Sequence, residues 1–357
     1  MKIGMITFHS VPNLGANLQA FALNRYINQN INRCEIIDFI PNSHIVREGN
    51  FKRSLRVVKN GFLYPFLLNE RKFKEFQKKN YILSSQKYKG DEEIFASPPR
   101  YDILISGSDQ ILNATLSGDS KAFYLGFDHD AKKISYASSF GRKDISNIEK
   151  ELIKTWLPHF SDISVREESA SEIIEGLTGK SSKLVMDPVF LLGTEEWRRL
   201  AGKIKTPKKY ILVYAMEISQ ELLDTVEAAR KLYNLPILTV YGCCGSISGT
   251  TRIKWCGPQE FISYIDNAEL VITNSFHGTA FSILLKRKFL CVAHSKRNER
   301  LINITNLCSK TQKLITAENN SIDNNIIDGN KALTLLDDYI NSSKEYLENN
   351  CRLGYGD

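Results

Sequence analysis

The chain has 357 residues, a net charge of +7 and a hydrophobic fraction of 42%. This composition is typical of a soluble globular protein and excludes collagen-like and largely disordered chains. No apolar run approaches the ~20 residues that a helix needs to span a bilayer, and the length favours two domains.

The seven cysteines are scattered and form no CxxC pair. Neither a zinc site nor a disulfide framework follows from such spacing, so we expect no metal and no cofactor. Residues 1–6 are predicted as a strand, not as a signal peptide. Without a secretory segment, reduced thiols in a cytoplasm are the simplest interpretation, and we expect a cytoplasmic protein.

The first half of the chain alternates apolar, β-prone runs with helical patterns. Strands are predicted at residues 2–8, 34–40, 101–105, 133–137 and 163–165, and helices at 16–30, 147–157 and 166–176. The loop before the first helix contains Pro12 and Gly15 but no GxGxxG or Walker A pattern, so phosphate binding there is weakly indicated. Asn13, Asn17 and Gln19 lie on one turn and could bind sugar hydroxyls; helix capping is the alternative for the two asparagines.

Positive charge is concentrated in residues 47–89, which hold twelve Lys or Arg against three acids. We predict two helices here. A solvated helical face and a surface for an anionic partner both account for the charge. The interleaved aromatic and aliphatic residues favour an interfacial segment on an anionic membrane over a nucleic-acid arm. We expect no nucleic-acid partner, and peripheral attachment to the inner membrane face stays open.

Two polar turns follow predicted strands in the first half. Asp109 and Gln110 come after the strand at 101–105, where a cap and a glycine would explain Ser108 but not these two residues. Arg166 directly follows the strand at 163–165. Its guanidinium either faces a cleft, where it could hold an anion, or forms a salt bridge to a neighbouring acid.

The second half repeats the alternation. Strands are predicted at residues 210–215, 237–241, 270–273 and 289–293, helices at 220–233, 258–267, 298–307 and 331–349, an inter-domain crossing at 193–207 and a polar loop at 319–330. We therefore predict an α/β fold of two Rossmann-like, doubly wound domains facing a cleft, with a C-terminal helix packing across both. The predicted domains are residues 1–193 and 208–330, followed by a helix and tail at 331–357.

The strongest site signal lies in residues 269–285, where a strand, a polar turn and a helix follow one another. Ligands of parallel α/β sheets bind beyond the carboxyl ends of strands, where helix N-termini present N–H groups to anions. His277 stands at this turn. A capping or core histidine is the alternative, but Asn274 and Ser275 are polar and Gly278 permits close approach of a ligand to the backbone, which favours a functional histidine.

Six motifs together resemble the polysaccharide pyruvyl transferase family, over about residues 2–314. They are NLGANLQ from Asn13, GSDQ from Gly107, ISYASSFG from Ile134, SVRE from Ser164, Asp187-Pro188 and TNSFHGT from Thr273. Each motif is weak alone, whereas six in the family's order are specific. The resemblance implies a fold similar to the GT-B glycosyltransferases. It also implies transfer of pyruvate from phosphoenolpyruvate, as co-substrate, to a sugar diol as a cyclic ketal.

The family's acceptors are surface-polysaccharide precursors, often lipid-diphosphate-linked, so the resemblance implies such a partner. Its chemistry protonates the methylene carbon of phosphoenolpyruvate, for which a histidine is suited, and holds carboxylate and phosphate with cations and helix N-termini. The predicted roles are His277 as acid/base and Arg166 as anion clamp; Asn274, Ser275, Gly278, Thr279, Arg297 and Arg300 at the donor; and Asn13, Asn17, Gln19, Asp109 and Gln110 at the acceptor.

Two motifs depart from the family pattern. Other branches have Arg-Leu-His-Gly where this chain has Ser275-Phe276-His277-Gly278, so the anion-binding arginine of that turn must come from elsewhere. Leu112 stands where related sequences commonly have Trp, which affects the acceptor contacts more than the chemistry. A nucleotide-sugar glycosyltransferase of the same architecture is the alternative function.

Overall fold

The computed structural model describes residues 1–43, 63–128, 130–241, 246–295, 298–309, 311 and 313–352. The chain divides into two compact units, of which the first is Met1–Leu191 with Tyr339–Asp357 and the second is Leu192–Asp338. The first unit thus ends at Leu191, where the sequence predicts 193, and it includes the end of the chain, which the sequence predicts as a separate segment.

The first unit is built of alternating strands and helices. Its described elements are β1 (Ile3–Ile6), α1 (Leu14–Asn30), β2 (Cys34–Ile40), α2 (Leu63–Asn80), β3 (Leu83–Lys89), α3 (Gly90–Ala96), β4 (Ile103–Ser106), α4 (Ala114–Ser117), β5 (Lys132–Ser135), α5 (Asn147–Trp156), β6 (Ser164–Val165), α6 (Glu168–Thr178) and β7 (Lys183–Leu184). Short 3-10 turns lie at Lys121–Tyr124, Leu157–His159 and Pro188–Leu191.

The main sheet of the described first unit is parallel, with the strand order β3-β2-β1-β4-β5. This is the order of a doubly wound nucleotide-binding fold, whose ligands bind where the order reverses, here between β1 and β4. Both strands are buried throughout, as expected for central parallel strands covered on both faces. The small parallel pair β6-β7 continues beside β5 through bridges from Ile134 to Asp162 and from Ser138 to Val165.

The second unit repeats the plan. Its described elements are α7 (Thr194–Leu200), β8 (Ile211–Ala215), α8 (Gln220–Tyr233), β9 (Ile237–Tyr241), β10 (Thr251–Arg252), α9 (Pro258–Asp266), β11 (Leu270–Thr273), α10 (Phe276–Leu284), β12 (Lys288–Val292), α11 (Glu299–Leu307), β13 (Leu314–Ile315), α12 (Ile322–Asn325), β14 (Ile327–Asp328) and α13 (Gly329–Leu335). The strands β10-β9-β8-β11-β12-β13 are parallel, and β14 pairs antiparallel with β12.

Two parallel, doubly wound sheets confirm the predicted fold class. The order again reverses beside β8, whose carboxyl end lies next to that of β11 because Tyr214 pairs with Thr273. A buried aromatic group packs α7, α9 and α10 onto this sheet: the ring centroids of Trp197 and Phe281 are 4.8 Å apart, and those of Tyr214 and Phe261 4.7 Å.

The C-terminal helix α14 (Asp337–Asn350) is anchored in the first unit by three hydrogen bonds. Ser343 Oγ accepts from the Met186 N–H at 2.8 Å, Tyr346 Oη donates to Ser135 O at 3.0 Å, and Glu348 accepts from Tyr26 Oη at 2.7 Å. The predicted helix at 331–349 is in fact two helices, α13 and α14.

Two local predictions were wrong. The end of the basic segment forms strand β3, not helix; its side chains are mostly exposed and polar, so this edge strand has no apolar alternation to indicate it. The loop predicted at 319–330 contains α12 and β14, because Ile322 and Ile327 are buried there. Of the basic segment, residues 47–62 lie outside the described residues.

The described part of the basic segment turns its apolar face inward. Phe73 and Phe76 on α2 are buried, and the Phe76 ring packs edge-on against Phe21 of α1 with centroids 5.8 Å apart. These two rings are therefore part of the core, while the outer face of the helix carries exposed basic residues such as Lys74 and Lys78. The apolar side chains at 51–68, on which the interfacial interpretation rests, lie outside the described side chains, so that interpretation stays a prediction. Throughout the described residues, every helix is too short or too polar to cross a membrane.

Candidate active site

The turn before His277 is formed by a side chain that bonds in two directions. Thr273, the last residue of β11, donates from Oγ1 to Tyr214 O at 2.7 Å and accepts from the Ser275 N–H at 3.1 Å. The chain therefore turns at once, and α10 starts at Phe276 with Ser275 as its N-cap. The first bond within the helix joins the Thr279 N–H to Ser275 O at 3.0 Å, which leaves the Gly278 amide at the open, positive end of the helix.

Gly278 is required by packing. A Cβ atom at this position would lie 2.2 Å from Thr273 Oγ1 and 2.9 Å from Tyr214 Cδ1. The glycine thus lets α10 approach the ends of β11 and β8. The Cα of Gly278 faces the sheet, so a ligand can approach this residue only from the side of its amide.

Asn274 and Thr279 hold the turn through side chains that are nearly or fully buried. Asn274 accepts from the Met216 N–H at 2.7 Å and donates to Glu217 O at 2.9 Å. Thr279 donates from Oγ1 to Ser275 O at 3.2 Å. Both side chains are used within the fold, so direct donor contacts from them do not fit this structure.

His277 lies in the first turn of α10, and 8% of its surface is exposed. Its ring stands edge-on to that of Phe276, with centroids 5.3 Å apart. Arg300, on α11, lies over the same Phe276 ring. Its guanidinium carbon is 5.5 Å from the ring centre, a cation–π distance. The structure therefore brings a cation to the histidine turn. Arg297, the other predicted arginine, lies outside the described residues.

A second cluster at the same edge of the sheet was not predicted. Glu217 follows β8 and His294 follows β12, and His294 Nδ1 lies 3.3 Å from Glu217 Oε1. Ser295 donates to the same carboxylate from its N–H and from Oγ, the latter at 2.8 Å. Glu217 and His294 each come two positions after the carboxyl end of a strand. Polar residues at that place indicated His277, so the same pattern could have indicated this pair.

Arg166 is a buried ion-pair partner in the first unit. Its side chain is 3% exposed, and Nη1 lies 2.8 Å from Asp187 Oδ2, a carboxylate with no exposed surface. Nε donates to Ser108 Oγ and to Ala137 O, each at 3.1 Å, and Asp109 is 4.0 Å away. Of the two interpretations of Arg166, the salt bridge describes this geometry.

Asp109 and Gln110 form a tight turn after β4. Asp109 has φ +74°, an unusual conformation for a residue other than glycine that is often found at functional sites; its side chain is 15% exposed. Gln110 is buried and accepts from Asn113 Nδ2 at 3.1 Å. The structure therefore brings Asp109 and Arg166 together and gives Gln110 a packing role.

The three predicted residues of α1 are used by the fold. Asn13 is exposed and accepts from the Ala16 N–H at 3.0 Å, which is the capping alternative. Asn17 is fully buried, donates to two carbonyls and accepts from Gln77 and Tyr81. Gln19 is also fully buried and donates to Thr7 Oγ1 at 3.0 Å. Neither Asn17 nor Gln19 can contact an acceptor here, because neither has any exposed surface.

Buried His9, after β1, pairs with the partly buried carboxylate of Asp38 on β2. His9 Nε2 is 3.2 Å from Asp38 Oδ1, and His9 Nδ1 is 3.2 Å from Thr7 O. Burial alone would raise the pKa of Asp38, but the hydrogen bond and charge of His9, with the charge of Lys87, lower it. Within the described ranges, no group of three or more His, Cys, Asp or Glu side chains is arranged to hold a metal ion.

The family model for polysaccharide pyruvyl transferases matches residues 13–296, which is well over half of the chain. The protein belongs to this family. No curated protein matches the sequence.

Two solved structures show the same fold. S. aureus MnaA, solved with UDP, has a TM-score of 0.51 at 12% identity, covering 99% of this chain and 93% of its own. Anabaena HepE, solved with UDP and glucose, has a TM-score of 0.53 at 10% identity, covering 98% of each chain. At such identities the likeness shows the fold alone, which is GT-B-like.

Proposed function

We propose that this family member transfers pyruvate from phosphoenolpyruvate to a sugar diol, as a cyclic ketal, and releases phosphate. The observation that carries the proposal is His277 in the first turn of α10, with Arg300 over the neighbouring Phe276 ring. An imidazole is suited to proton transfer near neutral pH. A helix N-terminus and an arginine are suited to a doubly charged donor.

In this proposal His277 donates the proton to the methylene carbon, while Arg300, the Gly278 amide and Ser275 hold the donor's anionic groups. Arg166 and Asp187 neutralise one another at 2.8 Å, so we assign Arg166 to positioning the Ser108 and Asp109 turn and not to clamping the donor. Asp109 and the exposed Asn13 remain the proposed acceptor contacts of the first unit.

We further propose a lipid-diphosphate-linked polysaccharide precursor as the acceptor, handled at an anionic membrane surface. The exposed basic face of α2 supports this through its charge. Binding of the full-length protein to vesicles containing phosphatidylglycerol should weaken when Lys72, Lys74, Lys78 and Lys79 are replaced by Gln. Unchanged binding would make this face a solvated surface only.

The direct test incubates the protein with phosphoenolpyruvate and lipid-linked sugar precursors. Mass spectrometry should detect a pyruvyl ketal on the acceptor, and phosphate should be released in equal amount. A thermal-shift panel separates the alternative: a glycosyltransferase would be stabilised by a nucleoside diphosphate sugar and not by phosphoenolpyruvate. That outcome, with no ketal formed, would reject the pyruvyl transfer.

A further inference from the structure

The end of β12 carries an imidazole that is held by a carboxylate from another loop. His294 Nδ1 lies 3.3 Å from Glu217 Oε1, and the two side chains are 12% and 25% exposed. The backbone N–H of His294 donates to Asn298 Oδ1 at 2.7 Å. Ser295 donates to the Glu217 carboxylate from its backbone N–H and from Oγ. The Glu217 carboxylate thus contacts both the imidazole of His294 and the backbone of the next residue, which holds the ring and the loop in place.

This pair is tied to the turn that carries His277. Asn274, three residues before His277, accepts from the Met216 N–H at 2.7 Å and donates to Glu217 O at 2.9 Å. The strands also emerge side by side, because Thr273 of β11 pairs with Tyr214 of β8 and with Cys291 of β12. Neighbouring strands lie about 4.8 Å apart, so the loops after β8, β11 and β12 share one edge of the sheet.

A carboxylate beside Nδ1 selects the tautomer of an imidazole. It favours the proton on Nδ1 and leaves the lone pair on Nε2, as in carboxylate-oriented catalytic histidines. The charged or titratable side chains that the described structure brings to this edge include Glu217 after β8, His277 on α10, Glu299 and Arg300 at the start of α11, and His294 itself.

We infer that His294 is a second catalytic residue, the base that takes the proton of the acceptor hydroxyl, and that Glu217 is its positioning residue. This inference rests on the proposed pyruvyl transfer. A ketal is formed from two hydroxyls, so two protons must be removed while one is delivered to carbon and one to phosphate. Two imidazoles at one edge can share these transfers, one giving the proton to carbon and the other taking the proton of the first hydroxyl.

The steps balance as follows. Protonated His277 gives its proton to the methylene carbon, the first hydroxyl oxygen bonds to the central carbon, and its proton passes to His294 Nε2. The carbon–oxygen bond to phosphate then breaks, phosphate leaves with the electron pair, and His294 returns its proton to it. The second hydroxyl bonds to the same carbon and its proton passes to His277. Both imidazoles end in the state in which they began.

The test compares ketal formation from pH 5 to 9 in three variants. His294→Asn keeps an N–H donor near the Nδ1 position, facing Glu217, but has no basic nitrogen. We expect kcat to fall by at least ~100-fold, a common contribution of acid–base catalysis, and the rise of rate with pH to disappear. Glu217→Gln should lower kcat by a smaller factor and shift the rise of rate with pH to lower pH. His159→Asn, at an exposed position, is the matched control and should behave as wild type.

The outcomes separate this inference from the proposal beneath it. A wild-type protein that forms neither ketal nor phosphate from phosphoenolpyruvate would overturn both. If the wild type is active and His294→Asn has an unchanged kcat and pH profile, only the assignment of His294 as the base is overturned. Partial recovery of the variant by added imidazole, at an unchanged thermal unfolding temperature, would support it.

Discussion

The buried pair of Arg166 and Asp187 offers a quantitative test of what this arginine does. Asp187→Asn keeps an oxygen for the Val189 N–H, which Asp187 Oδ1 accepts at 3.0 Å, but removes the charge that faces the guanidinium. Breaking one side of a buried ion pair costs about 3–5 kcal/mol. Because Arg166 keeps Ser108 Oγ and Ala137 O as acceptors, we expect a loss near the lower end, about 3 kcal/mol.

The double variant tests the pairing itself. Arg166→Met alone leaves the Asp187 carboxylate buried without its cation and should cost a similar free energy of unfolding. Arg166→Met with Asp187→Asn removes both charges of the pair. It should therefore be more stable than the sum of the single losses predicts, by about 2 kcal/mol, within the range of coupling energies for contacting residues.

Urea unfolding measures the change in the free energy of unfolding. Hydrogen exchange of the native protein shows which strands are destabilised. Amides of β4 and β5 should exchange faster in each single variant, while those of β8 and β11 should not change. Glu269→Gln is the control, because its pair with Lys209 is exposed and spans 3.8 Å; such pairs contribute at most about 1 kcal/mol. Single variants as stable as wild type, with a raised KM for phosphoenolpyruvate, would refute the structural role and restore the clamp.

Three further outcomes are expected. His277→Ala should lower ketal formation by at least ~100-fold at an unchanged unfolding temperature, and an unchanged rate would remove it from the mechanism. Gly278→Ala should lower the free energy of unfolding by about 1–3 kcal/mol through overpacking, whereas Gly176→Ala, where a Cβ would meet nothing within 4 Å, should not; equal urea midpoints would contradict this. The lowered pKa of Asp38 stabilises the fold above the unfolded-state pKa of about 3.9, and this contribution is lost as pH falls through the folded pKa; Asp38→Asn should therefore show a smaller loss of urea midpoint on acidification than wild type.

Most of the fold was predictable because central parallel strands are continuous apolar runs. The strand Leu270–Thr273 and the helix Gln220–Tyr233 have the predicted bounds. Edge strand β3 has mostly exposed, polar side chains and therefore no such signal. Only the pairing of its backbone with β2 makes it a strand.

The sequence predicted where the candidate residues lie in the fold better than it predicted their contacts. A polar residue after a parallel strand lies at the carboxyl end of the sheet, as His277 does, but the pattern does not say where its side chain bonds. Asn17 shows the limit, since its partners Gln77 and Tyr81 lie far away in sequence. Gly278 shows another, because both a close ligand and a close strand require a glycine.

In the proposed reaction, the cation beside the histidine turn is supplied by another part of the chain. Where the resemblance to the family implies arginine and leucine, this chain has Ser275 and Phe276, so these two positions carry no cation. The larger Phe276 ring instead provides a face for Arg300, 5.5 Å away on α11. A cation supplied by the next helix lies beside the same helix N-terminus, where its charge adds to that of the helix dipole. In the proposed reaction, this substitution would keep the electrostatics of donor binding while moving their source along the chain.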